Sequence, residues 1–321
     1  MLYPLKLTAP LKDYIWGGDA LKIKYNKKSD LEKIAESWEL ADHKDGQSLI
    51  ANGPASGMTL GDYIEQYGKK ILGNHAEKFT YFPILIKLID AKDNLSVQVH
   101  PENEYALRVE GEYGKTEMWY IVDCEAGAEL LYGFKRTITK EEFKQHIENN
   151  TLLEVCNKVP VKKGDVFFIE AGTLHAIGKG ILIAEIQQNS NTTYRIYDYG
   201  RLGNDGKPRD LHVQKALDVT NLKHLETRMT PVAEMGFFSD YTIKLLAKCE
   251  YFTVYHFNLI QQCKLRTTED TFHSILVLEG DLTLSYGTDE MLLHKGDSLF
   301  IPAGMGDYSL HGIGEFILSM I

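Results

Sequence analysis

Cysteine is scarce in this chain: four in 321 residues, at Cys124, Cys156, Cys249 and Cys263, with no C-x-x-C spacing. That excludes a disulfide framework and a four-cysteine zinc ribbon, and the four read as reduced thiols. Positive charge is also in deficit, with 35 Lys and Arg against 45 Asp and Glu for a net charge of −10. A general nucleic-acid binder normally shows a basic face, so no nucleic-acid partner is expected. Long apolar runs are missing too. The nearest, Phe79 to Ile89, carries Pro83 and Lys87 and falls short of the ~20 residues of a membrane span. The opening MLYPLKLTAPLKDYIWGG has two prolines, Lys6 and Lys12 where a signal peptide has its apolar core. A cytoplasmic location with no membrane partner is therefore expected. What remains is ordinary globular material, 44% hydrophobic and 25% charged, enough to build a sizeable core over about two domains.

Helical periodicity is limited. Thr59 to Gly73 places Leu60, Tyr63, Ile64, Tyr67 and Ile71 on one face behind Thr59 as N-cap. Thr139 and Glu142 have capping-box spacing ahead of Phe143 and Ile147, and a third helix is expected from Asp210. Elsewhere the pattern is short and strand-like: 119–123, 129–134, 165–172, 181–188, 193–199, 251–260, 274–280, 282–287 and 297–304 are rich in β-branched and aromatic residues. This predicts a mainly β protein of antiparallel sandwiches or barrels with a small helical portion, around 20–75 and 137–150.

An internal echo sharpens that expectation. Lys162 to Gly178 (KKGDVFFIEAGTLHAIG) and His294 to Leu310 (HKGDSLFIPAGMGDYSL) share Lys-Gly-Asp, an apolar pair, Ile and Ala-Gly. A Gly-Asp turn leading into a strand is the second motif of a cupin, a small double-stranded β-helix jelly roll. The predicted architecture is two cupin-type barrels, residues 1–230 and 231–321, joined somewhere in 220–250.

The first half concentrates metal-ligand residue types. Gln98 and His100 in VQVHP are two apart, so on a strand both side chains project to one face. Glu117 opens a strand in GKTEMWYIV, and His175 follows the Gly-Asp strand. A cupin barrel brings these segments to one mouth. Two imidazoles, a carboxylate and an amide oxygen suit a divalent transition metal, with Zn²⁺ leading. Taken singly each residue has a plain alternative: a core histidine, a barrel-lining amide at Gln98, or a Glu117–Lys115 pair. In the second echo Asp307 stands where His175 stands, and His256 and His273 are scattered, so no metal is expected there. Arg195, inside the strand TYRIYDY, needs either a neighbouring carboxylate or a bound anion to offset its desolvation.

Together the stretches Trp16 to Gly18, Glu36 to Leu40, Ser96 to Pro101, Gly114 to Ile121, Gly164 to Gly178, Glu185 to Arg201 and Arg209 to His212 resemble the type I mannose-6-phosphate isomerase family in its short bacterial form. The resemblance implies a zinc site of Gln98, His100, Glu117 and His175, with Arg195 at the catalytic position. It also implies interconversion of mannose 6-phosphate and fructose 6-phosphate. Longer relatives carry Asn-His-Lys-Pro-Glu where this chain has Glu112 to Glu117; Lys115 and Glu117 remain, and the Asn-His pair does not. The large helical insert of those relatives must be reduced.

The chemistry implied is proton transfer between neighbouring carbons through an enediol, with Arg195 stabilising the enediolate. Lys115, Arg195 and Arg201 are the candidate phosphate cations, Ser96 a hydroxyl donor, and Trp16 either a wall of the sugar pocket or a packing residue. A zinc-bound water, Glu185 or His100 are open choices for the base. Two alternatives stand beside this reading: a metal-dependent isomerase or epimerase of another sugar phosphate, and a non-catalytic sugar-phosphate binder. Beyond the small-molecule substrate, a monomer or weak homodimer is expected.

Overall fold

The computed structural model describes residues 2–203, 205–225 and 233–321. Its regular structure is mainly β, arranged in layers. A six-stranded antiparallel sheet runs in the order Val166–Ile169, Glu117–Cys124, Ile181–Gln188, Ile84–Ala91, Glu36–Leu40, Leu11–Lys12. Facing it is a five-stranded sheet, Cys156–Pro160, Glu129–Phe134, His175–Ala176, Val97–Val99, Tyr194–Tyr197. Trp119, Ile121, Phe167 and Ile183 of the first sheet pack against Leu130 and Tyr132 of the second.

Period-two alternation decides what each face carries. Along Ile84–Ala91, Ile84, Ile86 and Leu88 turn outward to the large shared core, while Lys87 and Ile89 turn toward the five-stranded sheet. Every residue of Ile84–Ala91 and Ile181–Gln188 is buried, because both faces of this sheet are covered. The outer cover is a ten-stranded sheet built chiefly from residues 233–320. It contributes Leu246, Val254, Phe272, Leu276, Phe300 and Ile317 to the shared core. Leu5–Thr8 also belongs to this sheet, hydrogen-bonded to Ser298–Ile301 on one side and Leu49–Ile50 on the other. Helices Lys140–Glu148 and Val213–Val219 close the outer face of the five-stranded sheet through Phe143, Ile147, Ala216 and Leu217. Among the described residues none of the sheets closes on itself.

Several expectations are met and several corrected. Thr139 and Glu142 form both bonds of the capping box. Thr59 caps its helix, but the helix runs only over Leu60–Tyr67: Gly68, at φ 82°, ends it, and a 3₁₀ turn follows over Lys69–Leu72. The third helix begins at Val213, not Asp210. The stretches 274–280 and 282–287 form one strand, His273–Tyr286, which passes through Gly280 at φ 82° with a register shift between Val277 and Glu279. The junction expected within 220–250 takes in residues 226–232, which lie outside the described residues, as does the 230/231 boundary. No helix among the described residues is long and apolar enough to cross a membrane.

Candidate metal centre

The two facing sheets bring the candidate ligands together. Glu117 is the first residue of its strand in the six-stranded sheet; His175 starts a two-residue strand opposite Gln98 in the five-stranded one. His100 lies one residue beyond Val97–Val99. Ligand atoms of His100, Glu117 and His175 all fall within 4.8 Å of one another. His175 Nε2 is 3.4 Å from Glu117 Oε1, and His100 Nε2 is 3.7 Å from Glu117 Oε2. The Gln98 amide nitrogen stands 3.4 Å from His175 Nε2.

Two features fit this set to a cation. Each imidazole has its Nδ1 within 2.9 Å of a backbone carbonyl, His100 at Thr192 and His175 at Thr173. An Nδ1–H donated there leaves each Nε2 lone pair turned toward the triad, His175's facing Glu117 and His100's lying 3.2 Å from Lys115 Nζ, the tautomer of a metal-ligating histidine. Burial lowers His100 well below the ordinary imidazole range, reinforced by Lys115, and pushes His175 down to about 4. Both rings are therefore neutral and available as ligands. The Glu117 carboxylate is wholly buried; Oε1 accepts no hydrogen bond, and Oε2 has only the Lys115 ammonium, 3.1 Å away, among the described residues. Burial and the neighbouring Glu185 charge push it up to about 8. A buried carboxylate with one oxygen left without a donor, between two neutral imidazoles, matches the donor set of a divalent metal.

Beside the triad runs a row of buried charges. Lys115 Nζ is 3.1 Å from Glu117 Oε2 and 3.9 Å from Glu185 Oε1. Lys87 Nζ lies 3.2 Å from Glu185 and 3.6 Å from Glu36. The row follows from register: Glu185 is directly opposite Lys87, and Gln187 opposite Glu117, so the alternate positions share one face. Indole donors complete it, Trp119 to Glu185 at 2.9 Å and Trp38 to Glu36 at 2.7 Å. Burial opposes ionisation of Glu185, but Lys115 and Lys87 outweigh it and hold the carboxyl below its usual range.

Lys115, Glu185, Lys87 and Glu36 line one cleft of ≈ 250 Å³ together with Tyr14, Trp16, Ser96, Gln98, Arg195, Arg209 and His212. A roomier concavity, ≈ 340 Å³, lies elsewhere between Asn94, Glu129 and Tyr199, away from the triad. Trp16 is buried and packs 5.6 Å from Tyr14. Arg195 stands opposite Gln98 in register. Its guanidinium donates to Ser96 Oγ at 3.3 Å and the Asp210 carbonyl at 3.1 Å, and among the described residues it makes no carboxylate pair. Arg201 does not line the cleft: it is tied to Asp198 at 2.6 Å and stacks on Tyr199. The cation that lines it instead is Arg209, gripped by the same Asp198 through two nitrogens. Sequence reasoning quoted Arg209 and His212 in RDLH without giving them a role, and passed over Lys87, Glu36 and Tyr14. The signal for Lys87 was available: a single lysine between apolar neighbours, Ile84 to Ile86 and Leu88 to Ile89, in a buried strand.

The chain is similar to known proteins along its length. A family model for the catalytic domain of type I phosphomannose isomerase matches residues 4–129, and one for the mannose-6-phosphate isomerase cupin domain matches 242–321. The chain is 40% identical over 317 residues to mannose-6-phosphate isomerase ManA of Bacillus subtilis, covering 98% of each chain. It superposes on the crystal structure of a B. subtilis mannose 6-phosphate isomerase with a TM-score of 0.92 at 35% identity, covering 99% of both. A zinc-bound mannose 6-phosphate isomerase shares the fold at a TM-score of 0.79 and 17% identity, covering 98% of both. Similarity that spans the chain end to end, over sheets that assemble a His-Glu-His centre, places it: the chain belongs to the type I phosphomannose isomerase family.

Proposed function

We propose that this chain interconverts mannose 6-phosphate and fructose 6-phosphate through an enediol, with one Zn²⁺ held by Gln98, His100, Glu117 and His175. The observation that carries the reading is Glu117, fully buried, with Oε1 lacking any hydrogen-bond donor and facing His175, and flanked by two imidazoles whose Nδ1 atoms are already tied to carbonyls. Bound zinc supplies Lewis acidity toward the sugar oxygens. Gln98 joins the set through its amide oxygen once the amide is turned, since the two amide ends are interchangeable in shape.

Arg195 carries the charge that develops on the enediolate: it is beside Gln98 and, among the described residues, pairs with no carboxylate. Glu185, held ionised by Lys115 and Lys87, accepts hydrogen bonds from sugar hydroxyls. A carboxylate kept below its ordinary range is a weak base near neutral pH, so its part is to orient the sugar. Lys115 stands on the other side of the same hydroxyls. Ser96, with Arg209 in the place expected of Arg201, faces the phosphate, and Trp16 with Tyr14 forms the wall. We also assign two cupin-type units, 1–230 carrying the metal and 231–321 without one, on the strength of the repeated Gly-Asp turn.

A coupled assay on mannose 6-phosphate, run before chelation, after it, and with zinc restored, tests the reading. Turnover is expected to vanish and return; no turnover in the zinc-restored protein overturns the reaction, and turnover that survives complete zinc removal overturns the metal. Arg195→Ala is expected to lower kcat by about 10²–10³-fold, the loss typical of an oxyanion donor, with zinc content unchanged.

A further inference from the structure

The segment NSNTTY, Asn189 to Tyr194, is dense in small polar residues that the isomerase reading leaves without a task. Its middle lies against the metal centre: the Thr192 carbonyl is the partner of His100 Nδ1, and Asn191 and Thr193 line the cleft. Its other side rests on one carboxylate. Glu112 Oε2 accepts from Ser190 Oγ at 3.4 Å, from the Asn191 backbone N–H at 3.2 Å and from Thr192 Oγ1 at 3.3 Å. Ser190 Oγ in turn accepts from the Thr192 backbone N–H at 3.2 Å. Three consecutive residues are thus fastened to a single oxygen, and the curl they adopt aims the Thr192 carbonyl at His100.

Glu112 is itself anchored. Lys44 pairs with its other oxygen, and His43 Nε2 is 3.6 Å from Oε2. Burial opposes its charge, but Lys44, the Asn191 N–H and His43 hold the carboxyl below its usual range. The Lys44 hairpin grips the segment a second time through Asp45, which accepts from Asn191 Nδ2 at 2.9 Å.

We propose that Glu112 is a positioning residue for the metal centre: by fastening Ser190, Asn191 and Thr192 it fixes the carbonyl that orients His100 and keeps its Nε2 lone pair on the metal. The role rests on the metal reading above. It requires that loosening a group with no contact to the metal weakens metal binding, as loss of a partner hydrogen-bonded to a ligand typically does by 10–100-fold.

The test is zinc affinity of the full chain, measured by competition with a chromophoric chelator, alongside thermal unfolding of the metal-free protein. Glu112→Ala is expected to weaken zinc binding about tenfold or more, with Glu112→Gln, which keeps one acceptor oxygen, recovering part of the loss. Glu110→Ala is the control, because Glu110 fastens the far end of the same segment, at the Tyr194 hydroxyl, 2.8 Å away. It is expected to leave zinc affinity within about twofold, whatever it does to Tm. Unchanged affinity in Glu112→Ala, or an equal loss in Glu110→Ala, overturns the role and leaves Glu112 a staple of the fold. Should Glu112→Ala not fold, Glu112→Gln against Glu110→Ala decides by the same reading: affinity equal to wild type or to the control overturns it. A wild-type chain that binds no zinc would overturn the metal reading itself, a distinct outcome.

Discussion

The two Gly-Asp turns are the same device put to different ends. Asp165 Oδ2 accepts from the Lys162 N–H at 2.9 Å, and Asp297 Oδ2 from the His294 N–H at 2.7 Å. Gly164 and Gly296 hold φ at 90° and 88°. Four-residue strands follow, Val166–Ile169 and Ser298–Ile301, and each ends in Ala-Gly with a second left-handed glycine. From there the copies part. His175 is wholly buried in the metal centre, whereas its counterpart Asp307 is exposed and paired with Arg266 at 2.9 Å. Behind the first turn the interior holds Glu36, Lys87, Lys115, Glu117 and Glu185; behind the second it is mostly Leu, Ile, Val and Phe side chains, with no buried Lys, Arg, Asp or Glu among the described residues. Buried charges carry a desolvation penalty that an apolar interior avoids, so the first interior is arranged for chemistry and the second for stability.

The largest expected effect breaks the equivalence of the echoes outright. His175→Ala removes a ligand, and zinc per chain should fall from one toward zero, with activity down about 10³-fold, since the metal is worth several kcal/mol of barrier. Asp307→Ala removes only an exposed pair and should leave both readings within twofold. Metal analysis and kcat/KM of the two variants, made side by side, check the contrast. An Asp307 variant that loses zinc would mean the second unit shares in the site.

The next effect concerns the histidines. His273, a buried imidazole of the C-terminal region, has Nδ1 2.7 Å from the Tyr308 hydroxyl, and burial pushes it down to about 4 from 6.5. A depressed imidazole binds its proton more weakly folded than unfolded. Its contribution to stability is therefore complete above 6.5 and is lost as pH falls from 6.5 to about 4. At 1.4 kcal/mol per unit of pKa the loss is about 3 kcal/mol. His273→Gln keeps a polar partner for Tyr308 and removes the titration. Urea unfolding at both ends of this range should show a stability that changes less for the variant. The difference between the two proteins isolates His273 from His100 and His175, which are depressed as well. Equal slopes would show that His273 is charged or exposed in the folded state.

What the sequence made legible divides along similar lines. Local chemistry was readable: the Thr139–Glu142 box, the Gly-Asp turns and the strands 129–134 and 181–188 depend on neighbours within a few residues. His100, Glu117 and His175 were readable because residue type and the order of the motifs narrow the choice, and the sheets do bring the three together. Lys87 was not, since a strand position becomes a site position only once Glu185 lies opposite it. Arg201 and Arg209 show the same limit. Arg201 stood among the candidate phosphate cations, but Asp198 grips the guanidiniums of both Arg201 and Arg209, and only the path of the intervening chain decides which one lines the cleft. The Leu5–Thr8 strand joining the ten-stranded sheet was equally unreadable, for its partner Ser298–Ile301 lies at the other end of the sequence.

The smallest expected effect tests how far the two turns are alike. Their glycines hold the same left-handed backbone, so alanine at either position should cost about 1–2 kcal/mol from conformation alone. The surroundings differ. A Cβ on Gly164 would meet nothing within 4 Å, whereas on Gly296 it would stand 2.7 Å from the Tyr25 carbonyl oxygen. Lys27 Nζ also donates to the Gly296 carbonyl at 2.7 Å and pairs with buried Glu39, so this turn is packed against the N-terminal segment. Gly164→Ala should therefore lower stability by the conformational amount, and Gly296→Ala by about 1 kcal/mol more, because backbone must move to admit the methyl. Denaturant midpoints of the two variants measure the gap. If the two losses are equal, the contact at Tyr25 yields freely, and the turns are equivalent in energy as well as in shape.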